Sequence, residues 1–277
     1  MCSPATTQEL DYNHAPLHSR QERAPSSLES AARRSWHTLA PEGSSLPRMN
    51  EFDQPVGDPV PGWASAPLPS ADVLSGRFCA LERLDPDRHA VDLYAAYASA
   101  SDDRAWTYMA FGPFLSFESY YQWSVAAADS PDPRHYALTD AATGRALGTL
   151  ALMRHDPANG VIEVGSIVLS HVLQRTAAAT EAQFLLMRYV FEDLGYRRYE
   201  WKCDSLNEPS RKAAERLGFT YEGTFRQALV YKGRNRDTAW FALTEKEWPA
   251  VRAAFETWLN PANFDTQGRQ RKKLQTR

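Results

Sequence analysis

Residues 161–180 read VIEVGSIVLSHVLQRTAAAT. The first nine are dominated by valine, isoleucine and leucine, the composition of a strand buried on both faces. From Arg175 the pattern changes to a helix: Ala178, Ala182, Leu185, Tyr189 and Val190 form one apolar stripe, and Gly195 stops it. A strand that runs straight into a helix leaves unpaired backbone N–H groups at the helix entrance. The helix dipole favours an anion there by up to about 1 kcal/mol. The small side chains of Ala177, Ala178 and Ala179 let such an anion approach, and Arg175 adds a cation. The junction therefore reads as a pyrophosphate cradle. Packing of a helix against a sheet accounts for the same alanines.

Elements of similar clarity flank this junction. RFCALERL, RHYALTD and ALGTLALMRHD read as strands, with hairpin turns at 142–144 and 157–160. DPDRHAVDLYAAYAS is a helix with Pro86 in its first turn, and SFESYYQWSVAAAD is a second, opened by Ser116. After the central helix come the strand RRYEWKCD and a short helix, NEPSRKAAERLG, with Asn207 as its cap and Gly218 at its end. FTYEGTFRQALVYKG and RDTAWFAL are the last two strands, and EKEWPAVRAAFETWL is the last helix. Hairpins followed by a βαβ crossover predict an α/β fold with a mixed, mostly antiparallel sheet and helices on both faces.

The 277 residues suffice for one large domain, and 43% apolar content suffices for its core. The formal net charge of -3 gives no global pull toward nucleic acid or anionic lipid. No apolar run is long enough for a membrane-spanning helix, and no leader pattern opens the chain. The three cysteines lie far apart, offer no metal pattern, and suit a reducing, cytoplasmic setting. Residues 1–48 lack any period and read as a disordered tail. Met49 is a candidate internal start, which would make that tail an upstream extension. Residues 49–76 read as an extended proline-rich arm with Phe52 and Trp63 as apolar anchors. The domain spans 77–260, and 261–277 reads as a basic, solvated tail.

Two motifs on this framework resemble the GNAT N-acetyltransferase superfamily, in particular the branch that acetylates the N-terminal alanine of ribosomal proteins. The family's Gln/Arg-x-x-Gly-x-Gly/Ala turn aligns with Gln174, Arg175, Thr176, Ala177, Ala178, Ala179 and Thr180, with alanines in place of glycines. Its Asn-x-x-Ser-(x)7-Gly-Phe run is matched in full by Asn207, Ser210, Gly218 and Phe219. The resemblance implies a GNAT-like sheet splayed between its fourth and fifth strands, those of EVGSIVL and YEWKCD. It implies acetyl-CoA as donor, without a metal, the pantetheine arm pairing with backbone near Ile167, Val168 and Leu169, where Gly165 suits the bulge that starts the splay. Residues 174–180, Asn207 and Ser210 would complete the donor site.

Attack of an amine on a thioester needs a neutral nucleophile, a donor for the developing oxyanion and a proton source for the leaving thiolate. The N–H of Val168 is the expected oxyanion donor. Glu163, on the central strand beside the groove, is the expected base; a structural, paired glutamate is the other reading. Ser210 and Tyr221 are the candidates for assisting the thiolate. The loop between the first two helices (Trp106, Tyr108, Phe111, Phe114) and the last hairpin (Arg226, Tyr231, Lys232, Arg234, Arg236) would form the acceptor pocket. The acceptor is a small-molecule amine or a protein N-terminus, and the protein a monomer or homodimer, without nucleic-acid or membrane partners. The alternative is a catalytically silent acyl-CoA-binding module.

Overall fold

The computed structural model describes residues 48–276; nearly all of the expected upstream tail lies outside them. The chain divides into two units, 1–62 and 63–277. Within the first, the described residues hold a two-stranded ladder, β1 (Arg48–Met49) with β2 (Pro55–Val56). Phe52, expected as an anchor, is 72% exposed.

The second unit carries the remaining elements. They are β3 (Val73–Ser75), β4 (Cys79–Arg83), α1 (Pro86–Ala98), α2 (Phe117–Asp129), β5 (Arg134–Asp140), β6 (Ala146–Asp156) and β7 (Val161–Leu169), then α3 (Ala177–Arg188), β8 (Arg198–Asp204), α4 (Glu208–Arg216), β9 (Thr220–Tyr231), β10 (Arg234–Thr244) and α5 (Trp248–Leu259). Local chemistry sets the helix starts: Asp85, Ser116, Thr176 and Asn207 each accept a first-turn amide, Ser116 in a reciprocal pair with Ser119. The helix α3 ends in a π-turn, Tyr189–Asp193, before Gly195 at φ 67°.

The sheet has eight strands in the order β3-β4-β5-β6-β7-β8-β10-β9. Every neighbouring pair is antiparallel except β7 and β8. The short β3, which the sequence reading left inside the arm, pairs with β4 and moves the splay to between the fifth and sixth strands in sheet order. The two strands that part are those expected. Strand alternation sends Leu150, Leu152, Ile162, Val164, Tyr199 and Trp201 into one core with α3 and α5. Leu84, Ala90, Leu93, Tyr120 and Ala137 form a second core with α1 and α2.

Of the two boundary segments, the arm follows expectation at Trp63 and the C-terminal stretch departs from it. Trp63 does anchor the arm: its indole N–H donates to Ala158 O at 2.8 Å, and Ser70 and Ala71 donate to the Tyr189 hydroxyl. The C-terminal stretch is packed rather than solvated. Phe264 and Leu274 are buried in the main core, and Trp258 donates to Gln270 at 2.8 Å. Burial of those two apolar side chains outweighs the solvation of the lysines and arginines between them, which keep their charged ends in water.

Candidate active site

The seam between β7 and β8 opens part-way along. Parallel pairing runs from Val161↔Arg198 to Val164↔Trp201 and ends there. Yet β7 continues to Leu169 and β8 to Asp204. Beyond Val164 and Trp201 the two strands part and no longer pair with each other.

A bulge on β7 decides which groups line it. Ala151 pairs with Gly165 and Thr149 with Val168, so β7 holds one extra residue. Ser166, at φ 50°, takes the left-handed conformation there. The bulge expected at Gly165 begins directly after it, and Gly165 also makes room, since a Cβ on it would stand 2.4 Å from Met153 Sδ. Ser170 N–H donates to Leu147 O, which fixes the phase of the ladder. Val168 therefore turns its N–H and C=O toward β6, and Ile167 and Leu169 turn theirs toward the gap. This corrects the expected role of Val168: its amide is committed to the ladder and its side chain is buried. The carbonyl of Val168 also accepts from the Tyr97 hydroxyl of α1, at 3.2 Å.

The entrance of α3 lies directly after β7. The backbone N–H groups of Arg175, Ala177 and Ala178 have no hydrogen-bond partner among the described residues. Ala179 N–H is taken by Thr176 Oγ1 at 3.2 Å. Thr180, expected in the cradle, faces the other way: its hydroxyl donates to Thr176 O and accepts from Arg216 of α4. Arg175 is exposed at φ 63° and makes no ion pair among the described residues. Gln174 donates to Leu169 O at 3.1 Å, at the end of the gap. The packing reading of the alanines holds, and it leaves the first-turn amides accessible to a partner. The side chains of Ala178 and Ala179 pack into the core, and the amides of the first turn remain open.

Glu163 sits on the α1/α2 face of the seam, one residue before the last β7–β8 pair. It is 4% exposed. Lys202 Nζ lies 2.9 Å and Arg154 Nε 3.0 Å from its Oε2. Burial pushes its carboxyl above the ordinary range, against the pull of those two cations. Ser210 belongs to the opposite face, where its hydroxyl accepts the Trp201 indole N–H at 3.0 Å. Asn207 Oδ1 caps α4 by accepting Ser210 N–H. Tyr221 is corrected to a rim residue. It stands on β9, separated from β8 by β10, 44% exposed, with its hydroxyl bonded to Thr224 at 2.8 Å.

The α1–α2 loop and the β9–β10 hairpin do come together. Lys232 donates to Trp106 O and Arg234 to Thr107 O, at 2.8 and 2.7 Å, while Tyr108 donates to Leu206 O. The rings of Trp106 and Phe111, expected as pocket walls, pack inward: Trp106 meets Tyr97 and Phe114, and Phe111 stacks on Trp123 at 4.6 Å. Tyr231 donates to Asp204 at 2.7 Å, and Arg226 is exposed. Sequence reading missed Lys202 and Glu200, which face Glu163 at the mouth of the gap, and Trp240, whose ring covers the Lys202 ammonium. A lysine alternating with a glutamate on β8 was the only signal.

The family model described as an acetyltransferase (GNAT) domain matches residues 80–220, half of the chain. The chain belongs to the GNAT acetyltransferase family. A GCN5-related N-acetyltransferase from Brucella melitensis is 48% identical, with a TM-score of 0.75, over 78% of this chain and 97% of that one. YdaF of Bacillus subtilis, named provisionally as a ribosomal N-acetyltransferase, is 30% identical over 38% of this chain. An N-acetyltransferase of Bacillus licheniformis, p20, is 33% identical over 38% of it. The matches span 57% and 59% of those two relatives. This GNAT chain is thus an acyltransferase. No helix among the described residues is long and apolar enough to cross a membrane.

Proposed function

We propose that this GNAT enzyme moves an acetyl group from acetyl-CoA to a primary amine by direct attack within a ternary complex. The observation that carries this is the end of β7–β8 pairing at Val164 and Trp201 while both strands run on. The residues present fit the donor. Open amides at Ala177 and Ala178, beside the unpaired Arg175, suit a pyrophosphate. The gap-facing backbone of Ile167 and Leu169 suits the amide groups of a pantetheine arm. Gln174, Thr176, Asn207 and Ser210 border the same region through the contacts given above. Bound acetyl-CoA supplies an acyl group already activated as a thioester.

The chain's own groups supply the rest. Ile167 and Leu169 present N–H groups where negative charge develops on an acyl oxygen in the gap. Glu163 accepts the proton of the acceptor amine, directly or through one water. Freeing an α-amine at pH 7 costs about 1 kcal/mol, and freeing a lysine amine costs about 4–5 kcal/mol. A single buried carboxylate held by two cations suits the smaller task, which favours a protein N-terminus or another amine of low pKa as acceptor. The cations Arg226, Lys232, Arg234 and Arg236 make no ion pair with a carboxylate among the described residues. They suit an acceptor that also bears an anionic group.

The test is incubation with acetyl-CoA and a panel of N-terminal peptides, polyamines and amino acids, reading thiol release and acceptor mass. Thiol release coupled to acceptor acetylation is expected for at least one α-amine. Tight acetyl-CoA binding with no release on any amine would refute the proposal.

A further inference from the structure

Glu163 belongs to a row of charges that crosses the sheet. Arg154 of β6 contacts Glu163 of β7 at 3.0 Å, and Glu163 contacts Lys202 of β8 at 2.9 Å. Lys202 contacts Glu200 at 2.7 Å, Glu200 contacts Arg198 at 2.7 Å, and Arg198 contacts Glu222 of β9. Signs alternate along the row, with three cations and three anions. Its middle is the driest part: the Glu163, Lys202 and Glu200 side chains are 5, 6 and 9% exposed. The face of Trp240, whose ring centroid lies 3.7 Å from Lys202 Nζ, holds the ammonium from the β10 side. Lys202 is the first residue of β8 on this face beyond the last pair with β7.

We infer that Lys202 is the positioning residue of the reaction, fixing Glu163 at the mouth of the gap and, balanced by Glu200, setting its basicity. The inference rests on Glu163 being the base. Breaking one member of such a buried row leaves its neighbour uncompensated. Lys202 favours the ionised form of Glu163, while Glu200 opposes it by like charge. Arg154 of β6 and Lys202 and Glu200 of β8 are the charged groups that bear on Glu163. Lys202 is the one cation among them that is itself buried. When Glu163 takes a proton, the ammonium keeps Glu200 as its partner, so the row does not have to rearrange during turnover.

The two partners of Lys202 give opposite signatures. With an α-amine acceptor of known pKa, Lys202→Met moves the acid limb of kcat/KM up by about one pH unit. It also lowers kcat about 10-fold through lost orientation. Glu200→Gln leaves the ammonium wholly to Glu163, and the limb moves down. Lys202→Arg restores the limb. Acetyl-CoA affinity, read by calorimetry, stays within about twofold in all three, because the open amides of α3 are untouched. A limb unmoved in Glu200→Gln and Lys202→Met overturns the inference. If Lys202→Met does not fold, Glu200→Gln and Lys202→Arg decide alone. Glu163→Gln is run beside them. Persistence of the limb there removes the base assignment and the inference together; its loss there, with unmoved limbs in the others, removes only the inference.

Discussion

Glu181 of α3 predicts how strongly the helix that opens at the cradle is held. Its carboxylate is 4% exposed. It accepts the backbone N–H groups of Arg77, Phe78 and Cys79 at 2.9, 2.6 and 3.0 Å. The chain passes so close that a Cβ on Gly76 would stand 2.5 Å from Glu181 Cδ. Each bond from a neutral donor to an ionised acceptor contributes about 1.5–3 kcal/mol. In Glu181→Ala, water reaches the part-buried amides of Arg77 and Phe78 but not that of Cys79, so the summed loss is about 3–5 kcal/mol. For a domain of this size that lowers Tm by roughly 10 °C or more. Glu181→Gln keeps the shape, loses the charge and offers one acceptor oxygen, so it falls between. Urea unfolding followed by tryptophan fluorescence measures both variants. A loss below about 1 kcal/mol in Glu181→Ala would refute the reasoning, because three amides cannot lose an ionised partner so cheaply.

Four further outcomes are expected. Glu163→Gln loses at least about 100-fold in kcat/KM on the plateau above the acid limb and less below it, where the wild-type carboxyl is itself protonated; the wild-type acid limb lies above the ordinary carboxylate range because burial raises Glu163, and kinetics across pH checks both. Arg175→Glu weakens acetyl-CoA binding about 10-fold at low salt and less at high salt, by calorimetry, with little change in Tm because the side chain is exposed. Cys79 and Cys203 are buried with thiols pushed up by desolvation, so peptide mapping after iodoacetamide at pH 8 finds both unmodified until urea unfolds the protein. Ser166→Gly preserves the bulge and turnover, whereas Ser166→Val, forced toward a left-handed φ, costs about 1–2 kcal/mol and lowers kcat.

What could be read from the sequence was local. The run from Asn207 to Gly218 closes its own cap and stop within one short helix, so a single chain suffices to see it. The apolar runs of β5 to β8 and the stripe of α3 likewise depend on local pattern alone. The hidden features depend on which strands become neighbours. Lys202 looks like one more solvated lysine until the register sets it against Trp240 and brings Glu163 opposite Glu200. Glu181 looks like a surface residue of an amphipathic helix until the turn at Gly76 folds three amides onto it. Leu274 looks exposed in a basic stretch until Trp258 fixes Gln270 nearby.

Val168 shows how one residue changes the chemistry assigned to a strand. Unbroken alternation from Gly165, which faces β6, would send 166 and 168 toward the gap, and on that basis Val168 is the natural oxyanion donor. The extra residue between the Ala151–Gly165 and Thr149–Val168 pairs shifts that parity by one. Val168 goes to the ladder, and Ile167 and Leu169 take its place. The shift starts just past the point where β8 departs. Before it, the ladder fixes Glu163 firmly on the α1/α2 face; after it, the same strand offers backbone donors edge-on to the gap. The one residue more than a regular ladder allows thus decides which amides of the strand face β6 and which face the gap.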